Sequence, residues 1–202
     1  MRVIVVGATG TIGSAVCGAL ASRHEVVTVG YKDGTFHVDI GSPDSIRQLF
    51  VAIARLDALV STAGVAKFAS FDELGETDYQ LGLSNKLMGQ VNLVRIGRPF
   101  IADRGSFTLT SGVLSQEPMK GSASISMVNA AIEGFVRAAA LELPRGIRIN
   151  AVSPPWVRET LLALKMDPSP GMPAATVARA YLASIEGTAT GQIIDPRKVV
   201  VK

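Results

Sequence analysis

Three glycines in the stretch VVGATGTIGSA, Gly7, Gly10 and Gly13, stand three residues apart, after an apolar run and at the opening of a helix-like segment. Without β-carbons the backbone there can turn sharply, approach a ligand and let the helix pack on the strand. Free N–H groups and the positive end of the helix dipole then suit a pyrophosphate, with Thr9, Thr11 and Ile12 sharing the turn. A second candidate, Ser111, follows the run SFTLT. Its hydroxyl has two uses open to it, orienting a carbonyl oxygen or capping its own turn. A third, Lys86, shares a helical stripe with Gly82, Gly89 and Leu93. An ammonium on so small and apolar a stripe must reach a polar cleft or snorkel to solvent.

The elements that must position these residues alternate. Val/Ile-rich runs occupy 2–6, 25–30, 35–38, 57–61, 106–110, 147–152 and 191–195. Several are apolar on successive residues, as strands covered on both faces are. Between them fall helix-like stretches at 43–54, 77–97 and 122–143, and a last helix opens at Pro173 and runs to about Ser184. Ser42 and Pro43 make an N-cap and first-turn pair. This alternation predicts an α/β fold, a doubly wound parallel sheet with right-handed crossovers, in a single domain over 1–202. Ligands on such a sheet sit beyond the carboxyl ends of its strands, where the candidate residues fall.

Bulk properties narrow the function. The 202 residues are 48% hydrophobic and 18% charged, enough for one aliphatic core. Twenty basic against 17 acidic residues is too even a balance to argue for nucleic acid. The one basic cluster, PRKVVVK at the end, is expected to be a solvated terminus. A single cysteine, Cys17, excludes an internal disulfide and suits a reducing compartment. His24 and His37 lack partners at ligand spacing, so no metal site is expected. No run reaches membrane-spanning length and the start is unlike a signal peptide, which makes the expected location cytoplasmic.

GATGTIG, VDI (38–40), DALVSTAG (57–64), LTSG (109–112), AAIEGFVRAAALEL (130–143) and IRINAVSPPWV (147–157) follow one another in an order that resembles the short-chain dehydrogenases/reductases. The resemblance runs from residue 1 to about 195 and implies a Rossmann-type fold binding NAD or NADP. It places Asp39 and Ile40 by the adenine, Ala63 and Gly64 along the cofactor cleft, and Pro154, Pro155, Trp156 and Val157 beside the nicotinamide. Where the second strand ends, Gly30 stands at a position that an acid takes in NAD-binding members, followed by Tyr31 and Lys32. A cation without an acid predicts NADP, with NAD the alternative.

The departures bear on mechanism. Members of this family use a Tyr as proton donor or acceptor and a Lys four residues later that lowers its pKa. Anchored on AAIEGF, those places hold Ile125 and Asn129. Isoleucine has no proton to give, and asparagine brings no charge, although it can still bond the ribose. Ser111 falls near the family's serine, and Lys86 near its helical asparagine. The resulting expectation is an NADP(H)-dependent oxidoreductase of a small-molecule substrate with a non-standard proton donor, in which Lys86 restores the lost positive charge. Two rivals stay open, an NADP(H)-binding redox sensor without catalysis and an isomerase or lyase on the same scaffold. The segment 158–172 is expected to be a small flap or a surface loop, and Trp156 to stack at the pocket mouth or pack in the core. Helices 77–97 and 122–143, through Gly82, Gly89, Ala130, Gly134 and Ala138, are expected to pair in a homo-oligomer, dimer or tetramer.

Overall fold

The structure, a computed structural model, describes residues 1–199. Seven strands form one parallel sheet: β1 (Arg2–Val6), β2 (Glu25–Gly30), β3 (Phe36–His37), β4 (Leu56–Ser61), β5 (Ile101–Thr110), β6 (Arg148–Val152) and β7 (Ile193–Ile194). Their spatial order is β3-β2-β1-β4-β5-β6-β7, so the winding reverses between β1 and β4. Ile4 of β1 lies opposite Val27 on one side and Leu59 on the other. A crevice opens at that reversal, beyond the carboxyl ends of both strands.

Alternation along β1 feeds two cores. Ile4 and Val6 join Phe50 and Ile46 of α2 (Pro43–Ile53), Leu93 of α4 (Met88–Gly97) and Ile132 of α5 (Ala123–Glu142). Val3 and Val5 meet Val16 of α1 (Thr11–Leu20) and Tyr181 of α7 (Ala174–Glu186) on the opposite face. The predicted cap is present, with Ser42 Oγ accepting from the Ser45 N–H at 3.3 Å and Pro43 in the first turn. Replacing Ser42 by Ala would cost about 1 kcal/mol.

The stretch expected as one helix from 77 to 97 is interrupted. A short α3 (Glu76–Leu81) passes into a π-helical turn, Gly82–Leu87, before α4 resumes. The small residues of this stretch serve the chain's own packing. A β-carbon on Gly82 would lie 3.0 Å from Val128 of α5, and one on Gly89 would lie 3.0 Å from Ile40. Close approach at these two glycines is therefore intramolecular, which corrects their assignment to a subunit contact. Ala130, Gly134 and Ala138 of α5 are exposed.

Two further regions differ from expectation. The segment after β6 forms a six-residue helix, α6 (Arg158–Ala163), and a bridge between Val157 and Met172 pins its two ends together. The basic tail is docked over its first half, because Pro196 is buried and Arg197 pairs with Glu117 at 2.7 Å and Asp195 at 2.8 Å. The rest of that tail, 200–202, lies outside the described residues. Among the described residues no helix is long and apolar enough to cross a membrane. Cys17 is half-buried within α1, and burial pushes its thiol pKa up.

Candidate functional site

The crevice at the sheet reversal has two ends. The first is a cleft of about 580 Å³ lined by Gly7, Thr9 and Gly10, by Gly30 and Tyr31, by Val38, Asp39 and Ile40, and by Ala63 and Gly64. Gly7 sits at φ +85°, and a β-carbon there would lie 2.8 Å from the Ala63 nitrogen. Gly13 is buried against the turn, since its β-carbon would come within 2.0 Å of the Gly7 carbonyl oxygen. Gly10 is the N-cap of α1 in extended conformation and supplies no capping side chain. The first N–H groups of α1 therefore lack a side-chain partner, and the helix dipole adds its positive end. These features fit a dinucleotide pyrophosphate: a cradle that tolerates no β-carbon at Gly7 or Gly13 and a helix terminus open to an anion. Thr11 opens α1 on the exposed side.

Gly30 has a steric reason to be glycine. The turn after β2 folds back so far that a β-carbon on Gly30 would lie 2.0 Å from the Asp33 carbonyl oxygen. The missing acid at this place therefore follows from the turn as much as from any ligand. Tyr31 lines the cleft, whereas Lys32 is exposed and outside its lining.

The second end is a cleft of about 220 Å³ bounded by Ile12, Ser111, Gly112, Ile125, Asn129 and Lys86, with Pro154, Pro155, Trp156 and Val157 opposite. Trp156, in its wall, meets the Phe68 ring edge to face at 6.0 Å and 72°. Lys86 enters from the π turn and passes over Gly64, where a β-carbon would lie 2.6 Å from Lys86 Cγ. Its Nζ donates to Asn129 Oδ1 at 2.7 Å and to the Ser111 carbonyl at 3.2 Å. Asn129 Nδ2 in turn donates to the Gly112 carbonyl at 3.3 Å. Gly112, at φ +156°, leaves the space that a β-carbon 2.8 Å from Asn129 Nδ2 would take. Burial, with only neutral acceptors in contact, pushes the Lys86 pKa down to about 8. An amine in that range can give or take a proton near neutrality.

Ser111 reaches this cleft with its backbone. Its hydroxyl is directed away, donating to Glu133 Oε1 at 3.2 Å and to the Val152 carbonyl at 3.4 Å. The tyrosines offer no replacement acid. Tyr181 is fully buried with its hydroxyl on Thr110, Tyr31 lies at the other end, and Tyr79 lines neither cleft.

Three polar residues support this site beyond the candidates the sequence singled out, and of them only Asn85 adjoins one of those candidates, Lys86. Asn85, on the π turn, accepts from the Val65 N–H at 2.9 Å and lines the larger cleft. Gln90 is fully buried and bonds the Thr110 backbone twice, N–H and carbonyl, at 2.8 and 2.9 Å. Glu133, 3% exposed, is the third. It lies four residues beyond Asn129 and eight beyond Ile125, and that spacing was the available signal, because it sets all three on one helical face. Among the described residues no cluster of His, Cys, Asp and Glu is arranged to hold a metal.

An open parallel sheet with a glycine cradle and an uncapped helix at its reversal defines a Rossmann-type dinucleotide-binding protein. The chain belongs to the short-chain dehydrogenase/reductase family: residues 12–190 match the family model described as enoyl-(acyl carrier protein) reductase. The protein lin1944 from Listeria innocua has a similar structure, with a TM-score of 0.93 and 41% identity, the match covering 96% of this chain and 98% of that one. A small-chain dehydrogenase solved in complex with NADPH is similar at 0.85 and 28% identity, covering 96% and 95%. Among curated relatives, an uncharacterized oxidoreductase of Methylorubrum extorquens is 28% identical over 76% of this chain and 72% of its own length. The acetoacetyl-CoA reductase of Allochromatium vinosum is 25% identical over 81% and 77%.

Proposed function

We propose that the chain is an NADP(H)-dependent oxidoreductase of a small carbonyl or enone substrate in which Lys86 is the proton donor. The observation that carries this reading is the Lys86–Asn129 contact of 2.7 Å inside the smaller cleft. The family resemblance places a lysine at 129 and an asparagine at 86, and here the two residue types are transposed across the cleft. The cation is kept and enters from the opposite helix. Held at the Gly7, Gly10 and Gly13 cradle, NADP(H) would supply or accept the hydride. Lys86 has three N–H groups as an ammonium, and Asn129 Oδ1 and the Ser111 carbonyl orient two of them. The third is available to a substrate oxygen, which it stabilises as charge develops and then protonates. Pro154, Pro155, Trp156 and Ile125 line the cleft and would limit water around that oxygen. The NADPH-bound small-chain dehydrogenase supports NADPH as the cofactor.

The same reading takes the chain as a single cytoplasmic domain that assembles through the exposed stripe of α5, Met127, Ala130, Gly134, Ala138 and Leu141. Light scattering checks the assembly, and a mass near the 21.2 kDa monomer at micromolar concentration would exclude it. NADPH oxidation at 340 nm across aldehydes, ketones, quinones and enones tests the activity. Turnover in the parent is expected to fall about a hundredfold or more in Lys86→Met. In the reductive direction it should decline as pH rises through about 8, where Lys86 loses its proton. Activity within a few-fold of the parent in Lys86→Met would remove Lys86 from the chemistry.

The Ser111 hydroxyl on Glu133 and the apolar Ile125 favour a second reading, an NADP(H)-binding redox sensor. Tight NADPH binding with no turnover on any of these compounds would select it.

A further inference from the structure

Glu133 is a carboxylate buried to 3% exposure on α5, one turn beyond Asn129. Its Oε1 accepts from Ser111 Oγ at 3.2 Å and Ser115 Oγ at 2.6 Å. Its Oε2 accepts from Gln116 Nε2 at 3.3 Å and from Arg137 at 3.4 Å. Three of these four donors belong to one short loop, 111–116, which turns through the 3₁₀ segment Val113–Ser115. That loop is the floor of the smaller cleft, and its Ser111 and Gly112 carbonyls are the acceptors for Lys86 and Asn129. A single buried carboxylate thus clamps both ends of the segment that holds the cation.

We propose that Glu133 is a positioning residue, which fixes the 111–116 loop so that its carbonyls aim Lys86 into the cleft and keep water from it. The proposal rests on Lys86 being the working group. Ionised carboxylates accept several bonds and donate none, which matches four converging donors. The clamp works through position rather than through charge, because Glu133 meets the loop and never touches Lys86 itself. Unclamped, both serine hydroxyls retain local acceptors, the Val152 and Gly112 carbonyls, so the loop can loosen without the fold failing.

The test reads Lys86 directly and needs no substrate. Trace acetic anhydride is applied from pH 6 to pH 11, and acetylation at Lys86 is followed by mass spectrometry against exposed Lys120. The parent should show an inflection at about 8. In Glu133→Leu the loosened loop admits water, and the inflection should climb by about one unit or more, a tenfold loss of free amine at neutral pH. Glu133→Gln can turn its amide toward the two hydroxyls and keep the clamp, so it should stay within about half a unit of the parent. A cooperatively melting Glu133→Leu protein with Lys86 unmoved would overturn the proposal. Equal shifts in the Leu and Gln variants would also overturn it, since the effect would then come from charge. Should Glu133→Leu not fold, Ser111→Ala with Ser115→Ala cuts the same clamp from the loop side, with the same two outcomes. NADPH oxidation by the parent and Lys86→Met reads the catalytic assignment separately. An enzyme that needs Lys86 but keeps its inflection in Glu133→Leu therefore defeats the clamp alone.

Discussion

The two ends of the crevice are built from different materials. At the larger end the contacts are mainly backbone: a glycine turn, an uncapped helix terminus and the Ala63–Gly64 strand exit. At the smaller end side chains from distant segments meet, Lys86 from the π turn, Asn129 and Glu133 from α5, with the 111–116 loop between them. Backbone sites constrain residue type at each position separately, because a β-carbon either fits or does not. Side-chain sites constrain combinations, so the proposed exchange of a lysine and an asparagine would keep the cation in the cleft.

Three measurements can break or sharpen that contrast. The largest effect is expected at the backbone end. Gly7→Ala forces an alanine to φ +85° with its β-carbon 2.8 Å from the Ala63 nitrogen. Displacing the turn should weaken NADPH binding by roughly a hundredfold in calorimetry, with the Lys86 inflection unchanged. A loss of less than about threefold would mean that the turn is not the anchor.

A middling effect concerns stability. Burial holds the Lys86 pKa near 8 in the folded chain, below its ordinary 10.5. Between those values the unfolded chain binds more protons, so stability should rise with pH across that window. Relative to Lys86→Met, the parent should gain about 2 kcal/mol in urea unfolding between pH 8 and pH 10.5, discounting for residual solvent access. Parallel pH curves for the two proteins would show that the ammonium is not desolvated.

The smallest effect is expected at Lys32, which is exposed and outside the cleft lining. Lys32→Ala should raise the NADPH dissociation constant by only about threefold at physiological salt, as an exposed pair does. A loss of tenfold or more would show that Lys32 closes onto the 2′-phosphate when the cofactor binds.

The same contrast explains what the sequence disclosed. The glycine turn, the Ser42–Pro43 cap and the strand–helix alternation are local, and each was legible. Gly30 was legible as a glycine, but its steric cause, contact with the Asp33 carbonyl, was not, because it is a turn shape that composition does not display. Lys86 stood out because its stripe was too small for an ordinary solvent face. Its link to Asn129 was legible only through the family resemblance, since the pair lies 43 residues apart on different helices. Gln90 and Glu133 resembled ordinary polar helix residues until the loop strands they bond were placed beside them.

The π turn at Gly82–Leu87 gives this helix a property that substitution cannot reach. Each residue advances an α-helix by about 100°, so one residue more or fewer rotates everything beyond it by that angle. Deleting one residue within the turn, with every side chain otherwise kept, would swing α3 relative to the Leu93 seam of α4 or carry Lys86 off the Asn129 side. The number of residues in the turn therefore sets the direction of Lys86 independently of any side chain. It also sets a trap for column-by-column comparison with other chains, where one misplaced gap in this turn would set Asn85 or Leu87 in the cation's column and hide the lysine.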